Sequence, residues 1–215
     1  MPAWAADNMT SAKSAEAGEP AGARWVSARQ NRDAEAVEEC AIAAAPKWEP
    51  PRGSIQLRPY EAADAAATWE VFHAAVRHTA RARYSAAQVA AWAPDDVDAD
   101  RWARRRAAAW TLVAVIDEQV VGFADLTDAG ELDMLYVHPD HAREGVATHL
   151  LTAVVTEAEH RGLSRVEVHA SWVLQPLLER LGFVLDEDNP ANRIGDQVLA
   201  NARLHLNPDP PFGLA

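Results

Sequence analysis

The stretch from Glu131 to Gly162 constrains the fold of this 215-residue chain more than any other. Glu131 to Val137 reads as a half-buried strand, because β-branched, aromatic or apolar residues recur at alternate positions. Pro139 ends it, having no N–H to give to a ladder. Gly145 then marks the entry to a helix with an apolar stripe of Ala147, Leu150, Leu151, Val154, Val155 and Ala158, at three-and-four spacing. Arg161-Gly162 closes that helix with a basic last turn and a left-handed cap. Such a unit has a chemical consequence. The first-turn N–H groups have no intrahelical partner, they point one way, and the helix dipole adds partial positive charge. A glycine there lets a bulky anion come close to the main chain. The unit is a cradle suited to a phosphate or pyrophosphate. A strand-to-helix turn that binds nothing is the plain alternative.

Around this unit the chain divides into three parts. Residues 1–53 are rich in Ala, Glu, Ser, Gly and Pro and read as a largely disordered or weakly docked extension, with a short helix allowed at Ala34 to Ala45. Residues 54–207 read as one folded domain, and 208–215 as a tail. The domain opens with a strand at Ser54 to Arg58 and a helix at Glu61 to Ala80. Ser85 and Gln88 form a capping box for a helix that stops before Pro94. Asp98 or Asp100 caps the next helix, which carries Arg104, Arg105 and Arg106; three consecutive arginines near a helix C-terminus read as a solvated basic face. Trp110 to Ile116 and Gln119 to Asp125 form a hairpin about Asp117-Glu118, and with Glu131 to Val137 they make an antiparallel meander. After the cradle helix come a strand at Arg165 to His169, a helix at Trp172 to Leu181, and strands near Phe183 to Leu185 and Gln197 to Leu206. The class is α/β: a mixed, mostly antiparallel central sheet of six to seven strands with helices on both faces.

Composition removes several functions. A net charge of −12 argues against a nucleic-acid partner. One cysteine, Cys40, allows no internal disulfide framework and no Cys-based metal site. No apolar run approaches the length of a membrane span, and the N-terminus lacks the pattern of a signal peptide, so a cytoplasmic bacterial protein is expected. His138, Asp140 and His141 fall short of a usual ligand set, so no metal is expected. The fingerprints G-x-G-x-x-G and G-x-x-x-x-G-K-[ST] are absent, which argues against a nucleotide-binding domain.

Val137-His138-Pro139 followed by Ala142-Arg143-Glu144-Gly145-Val146-Ala147 resembles the acetyl-CoA signature of the GNAT N-acetyltransferase superfamily. Ala142 stands where that signature usually has Gln or Arg, while Gly145 and Ala147 fit. Ile55 to Arg58 resembles the family's first strand, Gln119 to Phe123 its third, and Glu179-Arg180-Leu181-Gly182-Phe183 its E-R-x-G-F segment. The similarity spans about residues 54 to 207. Tyr84 to Ala93, taken with Leu132 to Val137, is most similar to the YafP-like bacterial branch.

The resemblance implies the GNAT fold, with the central strand splayed from the strand after the cradle helix, and acetyl-CoA as co-substrate without a metal. It implies acetyl transfer to a primary amine of a small molecule or a peptide N-terminus, by direct attack in a ternary complex. A non-catalytic acyl-CoA-binding module that has kept the fold is the alternative, and a homodimer is compatible with either. The main chain of Leu135, Tyr136 and Val137 would pair with pantetheine and meet the thioester carbonyl. Arg143, Glu144, Gly145, Val146, Ala147 and Thr148 would hold the phosphates. Ser171 stands where the family often has a CoA-contacting Asn.

Glu131 lies at the distance from the cradle of the catalytic Glu in histone-type members, which makes it the candidate base. Asp133, two residues on along the strand, is the second candidate. Strand alternation turns Tyr136 away from Glu131. Leu178 occupies the family's usual tyrosine position and cannot donate a proton. For the acceptor, His73, Arg77, Tyr84, Trp92 and Trp102 fall in the family's variable helices.

Overall fold

The computed structural model describes residues 53–208. The expected extension, with its Ala34–Ala45 helix and Cys40, and all of the tail after Pro208 lie outside the described residues. Strand β1 is Gln56–Pro59, and helix α1 is Ala65–Ala74, continued by a π-helical turn at Ala75–Thr79. Helices α2 (Ala86–Trp92) and α3 (Ala99–Ala108) follow. Strands β2 (Trp110–Ile116), β3 (Gln119–Leu126) and β4 (Leu132–Val137) form the meander with β1, in the antiparallel order β1-β2-β3-β4. Helix α4 is Val146–His160, β5 is Val166–Ser171 and α5 is Gln175–Arg180. Strands β6 (Val184–Asn189) and β9 (Asn201–Leu206) complete a second antiparallel sheet, ordered β5-β9-β6. Between them a two-stranded hairpin, β7 (Arg193–Ile194) and β8 (Gln197–Val198), was not anticipated from the sequence.

The caps follow the sequence. Ser85 and Gln88 make the reciprocal capping box on α2. Asp98, not Asp100, caps α3, its carboxylate accepting from Arg101 N–H at 2.9 Å. The α4 stripe is rotated by one residue at its start. Val146 is buried and Ala147 only half-buried, because Val146 is the side chain that packs on Gly122 of β3. A Cβ at Gly122 would stand 3.0 Å from Val146 Cγ1 and 3.1 Å from the Tyr136 carbonyl, so that glycine lets α4 lie close on the sheet.

The meander is covered on both faces. One core layer gathers Leu112, Ala124, Leu126, Leu150, Leu151, Val154 and Leu178 beneath α4 and α5. The other gathers Phe72, Val76, Val89, Trp102, Val113, Phe123 and Met134 beneath α1 to α3. The basic run on α3 is not a solvated face. Arg104 is exposed, but Arg106 is fully buried in this second layer, with its guanidinium 4.5 Å above the Trp102 ring. Trp102 and Arg106 are four apart, so they share one helix face, and that face is the one turned inward.

Candidate active site

The two sheets touch at one corner. Glu167 N–H donates to the Gly130 carbonyl at 2.9 Å, and Glu131 bridges Glu167 in a parallel sense. Gly130 is held at φ 86°, and a Cβ there would come within 2.6 Å of the Arg165 carbonyl, so only glycine fits this junction. Beyond Glu131 no ladder joins β4 to β5, and the strands diverge. The edge of β4 that faces the gap is left for another partner. His138 N–H donates to the Val121 carbonyl at 2.8 Å, directly across the register. Antiparallel alternation then bonds Tyr136 to Phe123 and turns the N–H and C=O of Leu135 and Val137 into the gap.

A cleft of about 630 Å³ runs along this gap. Its walls include Leu135, Tyr136 and Val137 of β4, then Ala142, Arg143, Gly145, Val146, Ala147 and Thr148 at the head of α4. The π-helical turn supplies Ala75, Val76 and Thr79, and β5 and α5 supply Ser171, Leu174 and Arg180. Gly145 caps α4 in the left-handed region, at φ 88°, with Arg143 also at positive φ, 68°. The first intrahelical bond runs from His149 N–H to the Gly145 carbonyl at 3.0 Å, so the N–H groups of Val146, Ala147 and Thr148 have no acceptor within the helix. These three donors, the dipole behind them and the cations of Arg143 and Arg180 make a site for a diphosphate. Glu144 stands aside from the cleft and meets His141 Nδ1 at 2.9 Å. The Ser171 hydroxyl accepts from Leu174 N–H at 3.3 Å and so fixes the turn into α5 as well as lining the cleft.

A second cleft of about 410 Å³ meets the first along Trp92, Leu132, Asp133, Tyr136, His169 and Ser171. Glu131, Arg105 and Asp133 are in its wall, with Phe72, Tyr84 and Trp92 from the helical layer and Asn192, Arg193, Ile194 and Asn201 from the hairpin side. Glu131 is half-buried, and its carboxyl is pushed above the usual carboxylate range. Burial is the main cause, and Asp133 and Glu167 add to it, while His169 and Arg105 oppose it. Asp133 is differently placed. Arg105 Nη2 lies 2.7 Å from each of its oxygens, so its lone pairs are engaged by a cation.

The expectation that Tyr136 turns away from Glu131 is corrected. β4 carries an extra residue where Asp125 pairs with Met134 but Leu126 pairs with Leu132. This bulge at Asp133 slips the alternation by one, so Leu132 packs on the α4 side and Met134 on the α1–α3 side. Glu131 and Tyr136 therefore border the same cleft. Tyr136 is wedged edge-on against Phe72, with ring centroids 4.9 Å apart, and is hydrogen-bonded to Trp92. Burial holds its hydroxyl far above its ordinary value, so it stays protonated.

Of the five acceptor candidates, Tyr84 and Trp92 reach this cleft. The Tyr84 hydroxyl also donates to the Ala200 carbonyl at 2.8 Å and accepts from Trp172 N–H at 3.2 Å, which pins the chain entering β9. His73, Arg77 and Trp102 line neither cleft. His73 and Arg77 both bond Asp95, at 3.1 and 2.7 Å, and tie down the loop after α2. Trp102 is core, its indole N–H donating to Thr68 Oγ1 at 3.1 Å. Leu178 is wholly buried. Arg105, His169, Asn192, Arg193 and Asn201 were not singled out from the sequence, although all five line the second cleft. The only signal for Arg105 was its place beside an inward-facing Trp102–Arg106 pair, and the hairpin residues carried none. Among the described residues no group of His, Cys, Asp or Glu is arranged to hold a metal, and no helix is long and apolar enough to cross a membrane.

Known proteins share this architecture. The family model described as the acetyltransferase (GNAT) domain matches residues 80–195. The uncharacterized N-acetyltransferase YafP of Escherichia coli, strain K12, is 36% identical over 130 residues, which cover 60% of this chain and 81% of that protein. The crystal structure of a GCN5-related N-acetyltransferase described as an aminotransferase, class II, from Rhodopseudomonas palustris is 32% identical, with a TM-score of 0.68 over 75% of this chain and 99% of its own. A fold likeness at 22% identity and TM-score 0.60, over 75% of this chain and 98% of the other, is to YncA, a putative acetyltransferase from Salmonella typhimurium solved with acetyl-CoA.

Proposed function

The chain belongs to the acetyltransferase (GNAT) family, and from that premise we propose that it moves an acetyl group from acetyl-CoA to a primary amine of a small molecule or a peptide N-terminus by direct attack. One observation carries the reading: the β4 edge is unpaired along a cleft that begins at a helix N-terminus and opens into a second, carboxylate-lined cleft. The first cleft fits a coenzyme with a diphosphate at one end and an extended amide-bearing arm. Val146, Ala147 and Thr148 N–H groups hold the diphosphate, and Leu135 and Val137 offer the arm the bonds of an added strand. A main-chain N–H on that edge meets the thioester oxygen as negative charge develops there.

The acceptor amine enters the second cleft. Glu131, raised by burial, is the base that takes the ammonium proton before attack. Asp133 acts with Arg105 as a fixed ion pair beside it. The leaving thiolate is weakly basic and departs as the anion, and Tyr136, which borders both clefts and stays protonated, is placed to give it a hydrogen bond. Among the described residues no side chain is placed for an acyl-enzyme, and in this reading both substrates are bound together.

Calorimetry with acetyl-CoA, followed by a thiol-release assay across amines, amino acids and peptides, tests it. Binding below millimolar ligand and thiol release with at least one amine are expected. Absence of binding at millimolar acetyl-CoA overturns the reading.

A further inference from the structure

Arg106 and Asp125 are both fully buried, although neither touches a cleft. Two buried charges cost several kcal/mol each to desolvate, and apolar residues of the same volume often serve stability better. The pair is therefore a poor device for stability alone. Its geometry leads to the second cleft. Arg106 Nε lies 2.6 Å from Asp125 Oδ2 on β3, and Arg106 Nη2 lies 3.8 Å from Asp133 Oδ2 at the β4 bulge. Among the described residues, neither Nε nor Nη2 makes an aligned hydrogen bond; Nη1 points to Met134 Sδ at 3.0 Å. The guanidinium is thus shared coulombically between two carboxylates, while Thr111 Oγ1 steadies Asp125 at 3.0 Å.

We propose that Arg106 and Asp125 are positioning residues that set, through Asp133, the negative charge felt by Glu131. The inference rests on Glu131 being the base. The charged groups around Glu131 are Asp133 on its own strand, Arg105 on α3, and Glu167 and His169 on β5. Those around the pair are Asp133, Arg105, Tyr136 and Tyr60. Burial pushes Asp125 up to about 6, so the pair is ionic at neutral pH and above. Less of the Arg106 charge on Asp133 leaves more negative field at Glu131 and raises its titration; more of it does the reverse.

The two single variants therefore act in opposite directions. Arg106→Met leaves Asp133 less compensated, and the acid limb of kcat/KM against pH moves up by about half a pH unit or more. Asp125→Asn frees the guanidinium for Asp133, and the limb moves down by about as much. Arg106→Lys keeps the charge and stays near the parent. The double variant Arg106→Met/Asp125→Asn coincides with Arg106→Met, because Asp125, buried and without its counter-ion, is already neutral in that single. A pair that only stabilises the fold changes melting temperature and leaves the limb in place. Limbs that coincide in all variants, or singles that shift the same way, overturn the inference. If Arg106→Met does not fold, Asp125→Asn against Arg106→Lys decides it. Glu131→Gln is run alongside: loss of its limb keeps the base assignment standing whatever the pair does, and a retained limb overturns that assignment and this inference with it.

Discussion

The two clefts that meet at Tyr136 are built by opposite means. The one along β4 and α4, walled by side chains from residues 75–180, takes its main polar contacts from main chain: N–H groups of one helix turn and the free edge of one strand, within residues 135–148. The other is made of side chains brought together from α1 to α3, β4, β5 and the β7–β8 hairpin, over residues 72–201. A main-chain site tolerates side-chain change but not backbone change. A side-chain site responds in the opposite way.

Three substitutions break or sharpen that contrast. The largest effect is expected from Glu131→Gln. It should lower kcat/KM by about 10²- to 10⁴-fold, the range of a general base, with the KM for acetyl-CoA near that of the parent. In the parent, activity should fall as pH drops through the raised titration of Glu131, because the protonated carboxyl cannot accept a proton. That limb should be absent from the variant's pH–rate profile.

Next is Gly145→Ala. The added methyl makes only ordinary van der Waals contact, the nearest atom being His149 Nδ1 at 3.7 Å, so the cost is in the backbone at φ 88°. A left-handed non-glycine residue costs about 1–2 kcal/mol, so the KM for acetyl-CoA should rise by about tenfold while the pH profile is unchanged. Steady-state kinetics over both substrates checks this.

The smallest effect is expected from Thr148→Ala, which removes a side chain from the cradle but keeps its N–H. The KM for acetyl-CoA should stay within about twofold. A large change would place the grip in side chains and erase the contrast.

The same contrast explains what could be read from the sequence. The meander, the α2 capping box and the cradle were legible because Pro139, Gly145, Ser85 and Gln88 act on their own neighbours. Glycine or proline at a turn forces local geometry whatever packs against it later. The bulge at Asp133 was not legible. It arises from how β4 meets β3, and it reversed the expected direction of Tyr136. Arg106 read as a solvated charge because nothing nearby in sequence announces Asp125, nineteen positions along and one strand away. Trp102 and Arg77 have the composition of binding residues, yet tertiary packing directed one into the core and the other onto Asp95. The hairpin residues Asn192 to Ile194 reach the second cleft only through the way Tyr84 and α2 hold the segment before β9.

Residue-resolved amide hydrogen exchange, with and without acetyl-CoA, tests the main-chain grip most directly. Tyr136 is already bonded to Phe123 across the ladder, so its N–H should be protected in both states. The N–H groups of Leu135, Val137, Val146, Ala147 and Thr148 should slow on addition of the ligand, leaving an alternating pattern along β4. Protection confined to side-chain-lined positions around Glu131 and Arg193, with no change at those five amides, would contradict the account.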